Sequence, residues 1–319
     1  VAMPKIACCG RAPVSTGLLD TAKACASSAS ETLANAWNEA TNPVAIVACG
    51  PSGRATIGAG HGAIQYLAPE ALAGGRSGVP ADIYAVGLIW YEMKRAWENG
   101  ARKMWIANVG DIKPAEYPME FFLDLAWDIN SIDEGNIHDH LEDWAAREFG
   151  EQHSADIAEL MNDYYRLAFL RKPEYMGWSQ TEPTTGTGPS AFSMVANGNE
   201  LARRIGSYQV LEEACFRIRQ QLSPEKHDAY FQLIEYPIRG AANMNYKFLY
   251  YQEAMQGIDP AERERNLQLA QNAYSEIQEL TRVYNEEISG GKWNHMMHAA
   301  PRGLPVYQFP GYGLGADEL

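Results

Sequence analysis

From residue 118 onward, apolar residues recur at steps of three and four, the pattern of amphipathic helices that each bury one face. Over 197–222 the stripe runs Leu201, Ile205, Tyr208, Leu211, Cys215, Ile218 and Leu222. Over 260–289 it runs Leu267, Ala270, Tyr274, Ile277, Leu280, Tyr284 and Ile288. Segment 153–170 carries Ile157, Leu160, Met161, Tyr164 and Ala168, and segment 224–256 carries Tyr230, Leu233, Ile234, Ile238, Ala241, Phe248 and Tyr251. Shorter helices fit 118–129 and 137–149. The punctuation agrees with these bounds. Asp259 is placed to cap and Pro260 to occupy a first turn, where its missing N–H costs nothing. Gly290 and Gly291 end that helix, Pro173 stops segment 153–170, and Pro237 predicts a kink inside 224–256.

Segments with one apolar face each must pack on one another, so the expected fold class is mainly α, an antiparallel helical bundle. The stretch 173–192 reads as a long polar loop. Ahead of the bundle the rhythm changes. A helix over 89–99 runs into Gly100, and Met104, Trp105 and Ile106 form a short apolar run, the signature of an α/β unit with a buried, parallel strand over 103–107. The expected organisation is a partial α/β segment over 1–117, little of it readable before 89, then a bundle domain over 118–290 and an irregular Gly- and Pro-rich tail over 291–319.

Composition narrows the function classes. Of the 319 residues 46% are hydrophobic and 21% charged, an ordinary globular balance. The net charge of −14 and the absence of a basic stripe argue against a nucleic-acid partner. The longest apolar runs fall far short of the roughly 20 residues a membrane span needs, so no membrane partner is expected. Four of the five cysteines lie in the first fifty residues without zinc-ligand spacing, and they read as free thiols; no metal and no cofactor is expected. No signal peptide is visible. Val44 to Gly53 is an apolar run into glycines, but it lacks the third glycine of a dinucleotide fingerprint and the Lys-Ser/Thr of a P-loop.

The chemistry-bearing stretch follows the 103–107 strand. Asn108, Asp111, Lys113 and Glu116 place four polar groups in nine residues, broken by Gly110 and Pro114. In α/β barrels the loop at a strand's carboxyl end is where active sites are built. The plain alternative is a turn that caps the next helix.

A series of blocks starts at this loop: Asn108 to Pro114, Glu116-Tyr117-Pro118, Phe121 to Asp124 and Ala126 to Asp128, then Trp144 to Gly150, Arg171 to Glu174, Tyr230 to Pro237 with Ala241 to Asn245, and Gly291 to Met297. These blocks resemble the xylan α-1,2-glucuronidases of glycoside hydrolase family 115. They occur in family order. The resemblance implies a TIM-type barrel segment followed by a helical domain, in a glycosidase that removes (4-O-methyl)glucuronic acid from glucuronoxylan or a uronic-acid-bearing oligosaccharide with inversion. It implies an extracellular or periplasmic place and, at Asn108, a residue that contacts the sugar. Lys113 is suited to a uronate carboxylate through a charge-assisted bond. Asp111 and Glu116 are weaker substrate-binding candidates that can equally cap the helix. His61, in His61-Gly-Ala-Ile-Gln-Tyr-Leu-Ala-Pro69, sits near the place of a family loop histidine. An inverting acid and base stand roughly 6.5–9.5 Å apart, and neither is identified here. Because family matches and acidic residues are scarce before residue 89, the chain resembles a fragment of such an enzyme, expected to be inactive by itself.

Two other readings compete. Tyr66 to Glu70 with Ala81 to Met93 resembles the protein-kinase segment after the activation loop, but the Gly-rich loop, strand lysine and metal-binding aspartate of a kinase are missing upstream. The other alternative is a non-catalytic helical module for dimerisation or interaction, in which a homodimer forms through the helical domain.

Overall fold

A computed structural model describes residues 5–9, 46–49, 55–58, 84–108, 112–177 and 186–313. The chain divides into two units, Val1–Trp144 and Ala145–Leu319.

In the first unit, strands β1 (Lys5–Cys9), β2 (Ile46–Cys49) and β3 (Ala55–Gly58) precede helix α1 (Tyr84–Glu98), strand β4 (Trp105–Asn108) and helix α2 (Glu116–Trp127). The sheet order is β3-β2-β1-β4. β1 and β2 are parallel, but β4 runs antiparallel to β1, with Lys5 opposite Asn108 and Cys8 opposite Trp105. The expected parallel, buried strand is therefore corrected on both counts. Met104 and Ile106 are about half exposed, at 55% and 56%. An antiparallel strand can leave one face to water, and here the apolar run anchors through Trp105 alone. Its indole N–H donates to the Ala101 carbonyl at 2.6 Å, and its ring packs near Trp97 and Phe122. α1 is tied down by Trp90, whose indole N–H donates to the Ile132 carbonyl at 2.8 Å.

Helix α3 (Ile137–Phe149) follows, and the second unit is then built on α4 (Glu151–Leu170), α5 (Glu200–Gln221), the single turn α6 (His227–Tyr230), α7 (Tyr236–Gln256) and α8 (Pro260–Glu286). α7 and α8 make the most extensive helix pair, joined by a three-residue turn, and α5 packs on both α7 and α4. The α5 stripe read from the sequence is buried at every named position from Leu201 to Leu222. Asp259 caps α8 by accepting from the Ala261 amide at 2.9 Å, with Pro260 in the first turn. α5 starts three residues later than the pattern suggests. Asn197 and Asn199 take left-handed backbone angles, which an α-helix cannot include, and Asn199 then caps from Ala202.

The break at Pro237 takes a specific form. Phe231–Glu235 winds as a π-helical turn, and Pro237 stands at the start of α7. Proline lacks the N–H that would bond four residues back, and a wider turn just before it accommodates the loss. Gly177 is a second tight point. A Cβ there would run into the ring of the fully buried Phe248. Gly177→Ala is expected to lower unfolding stability by about 1–3 kcal/mol through overpacking, measurable by urea denaturation. A neutral effect would mean the ring has room to move.

The Gly- and Pro-rich tail, which has no period of its own, is fixed by α7 and α8. Lys247 donates to the carbonyls of Val306 at 2.8 Å and Gln308 at 3.0 Å, and Tyr251 donates to the Tyr312 carbonyl at 2.9 Å. Asn285 holds Met297 through both its backbone N–H and its carbonyl.

Candidate functional site

β4 ends at Asn108, so its backbone marks the strand end where the polar loop begins. The Asn108 side chain, Asp111 and His61 lie outside the described residues. Lys113 and Glu116 are brought together. Lys113 Nζ donates to Glu116 Oε1 at 2.6 Å, with the two side chains 11% and 25% exposed. Glu116 is the first residue of α2, where a carboxylate favours the positive end of the helix dipole. A cation and an anion held side by side also offer a donor and an acceptor to a polar ligand.

The next residue, Tyr117, is buried against Phe121, His140 and Trp144. Burial pushes its phenol well above the ordinary tyrosine range, and the carboxylates of Glu120 and Asp124 add to the shift. Tyr117 is thus a neutral support for the loop, not a proton donor near neutral pH. One group here was missed from the sequence. His140 Nε2 lies 3.0 Å from Asp124 Oδ2, while its Nδ1 is buried without a hydrogen bond among the described residues. The two are sixteen residues apart on different helices, and no local spacing announces the pair.

The second unit holds another charged group. Glu235, with an 8% exposed side chain, accepts from Arg219 and from Arg239, the latter at 2.6 Å, and Arg239 also donates to Glu276. Only the Glu235–Arg239 step has helix spacing that a sequence can show. Among the described residues no cluster of histidine, cysteine and carboxylate side chains could hold a metal ion, and no helix is long and apolar enough to cross a membrane.

Comparison with known proteins places this strand end and the helices that follow it in context. Residues 72–175 match the model of glycosyl hydrolase family 115. A solved structure described as a novel family GH115 4-O-methyl-alpha-glucuronidase, BtGH115A, with specificity for decorated arabinogalactans, is similar to this chain at 35% identity and a TM-score of 0.65. The similarity covers 72% of this chain and 30% of that one, so the chain spans less than a third of its relative's length. No curated protein matches. The chain is similar to glycosyl hydrolase family 115 in both comparisons, and the residues matched by the family model run from ahead of α1 to just past the end of α4, with β4 and the Lys113–Glu116 ledge inside them.

Proposed function

We propose that the chain contributes the β4 strand-end loop and the helical domain to an enzyme that removes (4-O-methyl)glucuronic acid from a decorated polysaccharide with inversion. The observation that carries this reading is the Lys113–Glu116 pair, set at a strand end inside the family match. Asn108 contacts the sugar, Lys113 draws the uronate carboxylate away from Glu116, and Asp111 and His61 add polar contacts. The hydrolytic acid and base are assigned to the intact enzyme and not to these loop residues. Asp111 and Glu116, five positions apart on one loop, are poorly suited to face each other across a sugar ring. Glucuronoxylan is the substrate the family resemblance suggests, and decorated arabinogalactan is the one the 35% identical relative is described as acting on. Both carry the same uronic acid, which is the part this loop addresses.

The test is an NMR titration of the chain with glucuronic acid and with an aldouronic oligosaccharide. Shifts centred on 105–117 are expected. In the intact enzyme, Asn108→Ala is expected to lower kcat/KM by roughly 10–100-fold, about 1.4–2.7 kcal/mol of transition-state binding, with an unchanged melting temperature. No shift at all would favour the non-catalytic dimerisation module, and wild-type rates in the variant would remove Asn108 from the site.

A further inference from the structure

Between α5, the π-helical turn, α7 and α8 lies an open cleft of about 620 Å³, within the range of roughly 300–1,000 Å³ typical of small-ligand sites. Its polar floor is the ladder of Arg219, Glu235, Arg239 and Glu276, and this ladder already explains itself as a tie between helices. Three features of the cleft are left over. Phe216 stands at its edge with 58% of its surface exposed, although it belongs to a helix whose other large apolar residues are mostly buried. Arg219 uses only Nη1 on Glu235, so its Nε and Nη2 donors carry no hydrogen bond among the described residues, and Glu276 engages through Oε1 alone. Glu212 accepts from the Tyr246 hydroxyl at 2.7 Å, and burial raises its carboxyl above the usual range, which moves it toward a form able to donate as well as accept.

Planar fork donors and carboxylate acceptors beside an exposed aromatic ring are the complement of a sugar. Vicinal hydroxyls bridge the donor and the acceptor, and the apolar C–H face lies on the ring. Charge selects among sugars. Glu235, Glu276 and Glu279 outnumber Arg219 and Arg239 in the lining, so a uronate or phosphate is repelled. An organic cation cannot accept from the remaining Arg219 donors, whereas a neutral ligand with hydroxyls can both accept from them and donate to the carboxylates.

We propose that this cleft binds a neutral sugar unit of the polysaccharide main chain, stacked on Phe216 with its hydroxyls held between Arg219 and Glu276. The inference rests on the polysaccharide reading above but places its ligand at a second site, within the unit Ala145–Leu319.

The experiment is a titration of the full 319-residue chain with neutral xylotriose and galactotriose, followed by NMR, with a parallel titration with glucuronic acid. The expected result is a set of shifts at 212–219 and 276–283 that glucuronic acid does not produce. Phe216→Ala should weaken binding roughly tenfold, equivalent to about 1.4 kcal/mol, and Phe216→Tyr should retain it. Phe216 is largely exposed, so both variants should keep the wild-type circular dichroism. No shifts with either neutral trisaccharide, shifts confined to 105–117, or unchanged affinity in Phe216→Ala would each overturn the proposal. If glucuronic acid perturbs 105–117 while the neutral sugars do nothing, the cleft proposal fails and the enzyme reading stands. Neutral binding at the cleft with no uronate response at 105–117 would uphold the cleft and remove the uronate loop.

Discussion

Lys247→Met is expected to destabilise the chain by about 2 kcal/mol near pH 9, and by clearly less near pH 6. Lys247 is fully buried in α7, and its ammonium faces the carbonyls of Val306 and Gln308 with no carboxylate among its hydrogen-bond partners. Burial pulls its pKa down from the usual lysine range to about 7. In the unfolded chain the same group titrates near its ordinary value of 10.5. Between those two values the unfolded state binds more protons than the folded one, so stability must rise with pH across the window from about 7 to about 10.5. The slope attributable to one such group is at most about 1.4 kcal/mol per pH unit. Below about 7 the folded state carries the buried charge at full cost.

Methionine removes both the titration and the donor. It keeps the aliphatic volume but leaves two carbonyls of the tail unpaired. The wild type and variant should therefore diverge as pH rises, and the pH-dependent slope of wild-type stability above neutrality should largely disappear in the variant. Urea unfolding at pH 6, 7.5 and 9 measures this directly. Parallel pH profiles for the two proteins would mean that Lys247 stays charged in the fold. Local hydrogen exchange over 301–312 should also accelerate in the variant, because the tail is tethered at Lys247 and Tyr251.

Lys247 also marks the limit of what the sequence discloses. The three-four periodicity identifies the α5 and α8 stripes, because a helix with one wet and one dry face repeats its apolar residues at its own pitch. Asp259, Pro260 and Pro237 mark helix starts, since their backbone preferences act within a few residues, whereas α8 stops at Glu286, ahead of the Gly290 and Gly291 expected to end it. The contacts that hold the tail are different in kind. Lys247 meets Val306 across 59 positions, and Arg204 on α5 caps the end of α4 by donating to the carbonyls of Leu167 and Arg171 while bonding Asn245. Nothing local distinguishes a lysine or arginine buried in this way from one in water. Strand direction is likewise a property of the partner strand: Met104 to Ile106 predicts a strand but cannot say that its neighbour, β1, runs the other way.

The site divides along the same line. The grouping of Lys113 and Glu116 is readable because they lie three positions apart at a helix start, and family resemblance gave the loop its meaning. The cleft around Arg219 and Glu276 was not readable. Its members come from three helices and a π turn, and the steps between Arg219, Glu235 and Glu276 follow no helical repeat.

Glu235→Ala is expected to cost about 2–4 kcal/mol, the low end of what breaking a buried charge pair costs, reduced because the two arginines are about one third exposed. The carboxylate is the centre of the ladder, with Arg219 on one oxygen and Arg239 on the other. Removing it strips both guanidinium groups of this carboxylate and leaves two like charges on the floor of the cleft. Arg239 retains Glu276, so Arg219 carries most of the loss. Glu235→Gln should cost less, because the amide oxygen still accepts one bond, but its amide NH₂ then points at a cation. If the cost is mainly uncompensated charge and not lost packing, adding Arg219→Met and Arg239→Met to Glu235→Leu should recover most of the stability, since a well-packed apolar set of similar volume often equals a buried ion pair. Urea midpoints for the two single variants and the triple variant decide it. A triple variant as unstable as Glu235→Ala would mean that the ladder contributes geometry the apolar set cannot replace, most directly the register of the π-helical turn Phe231–Glu235 on which Glu235 itself sits.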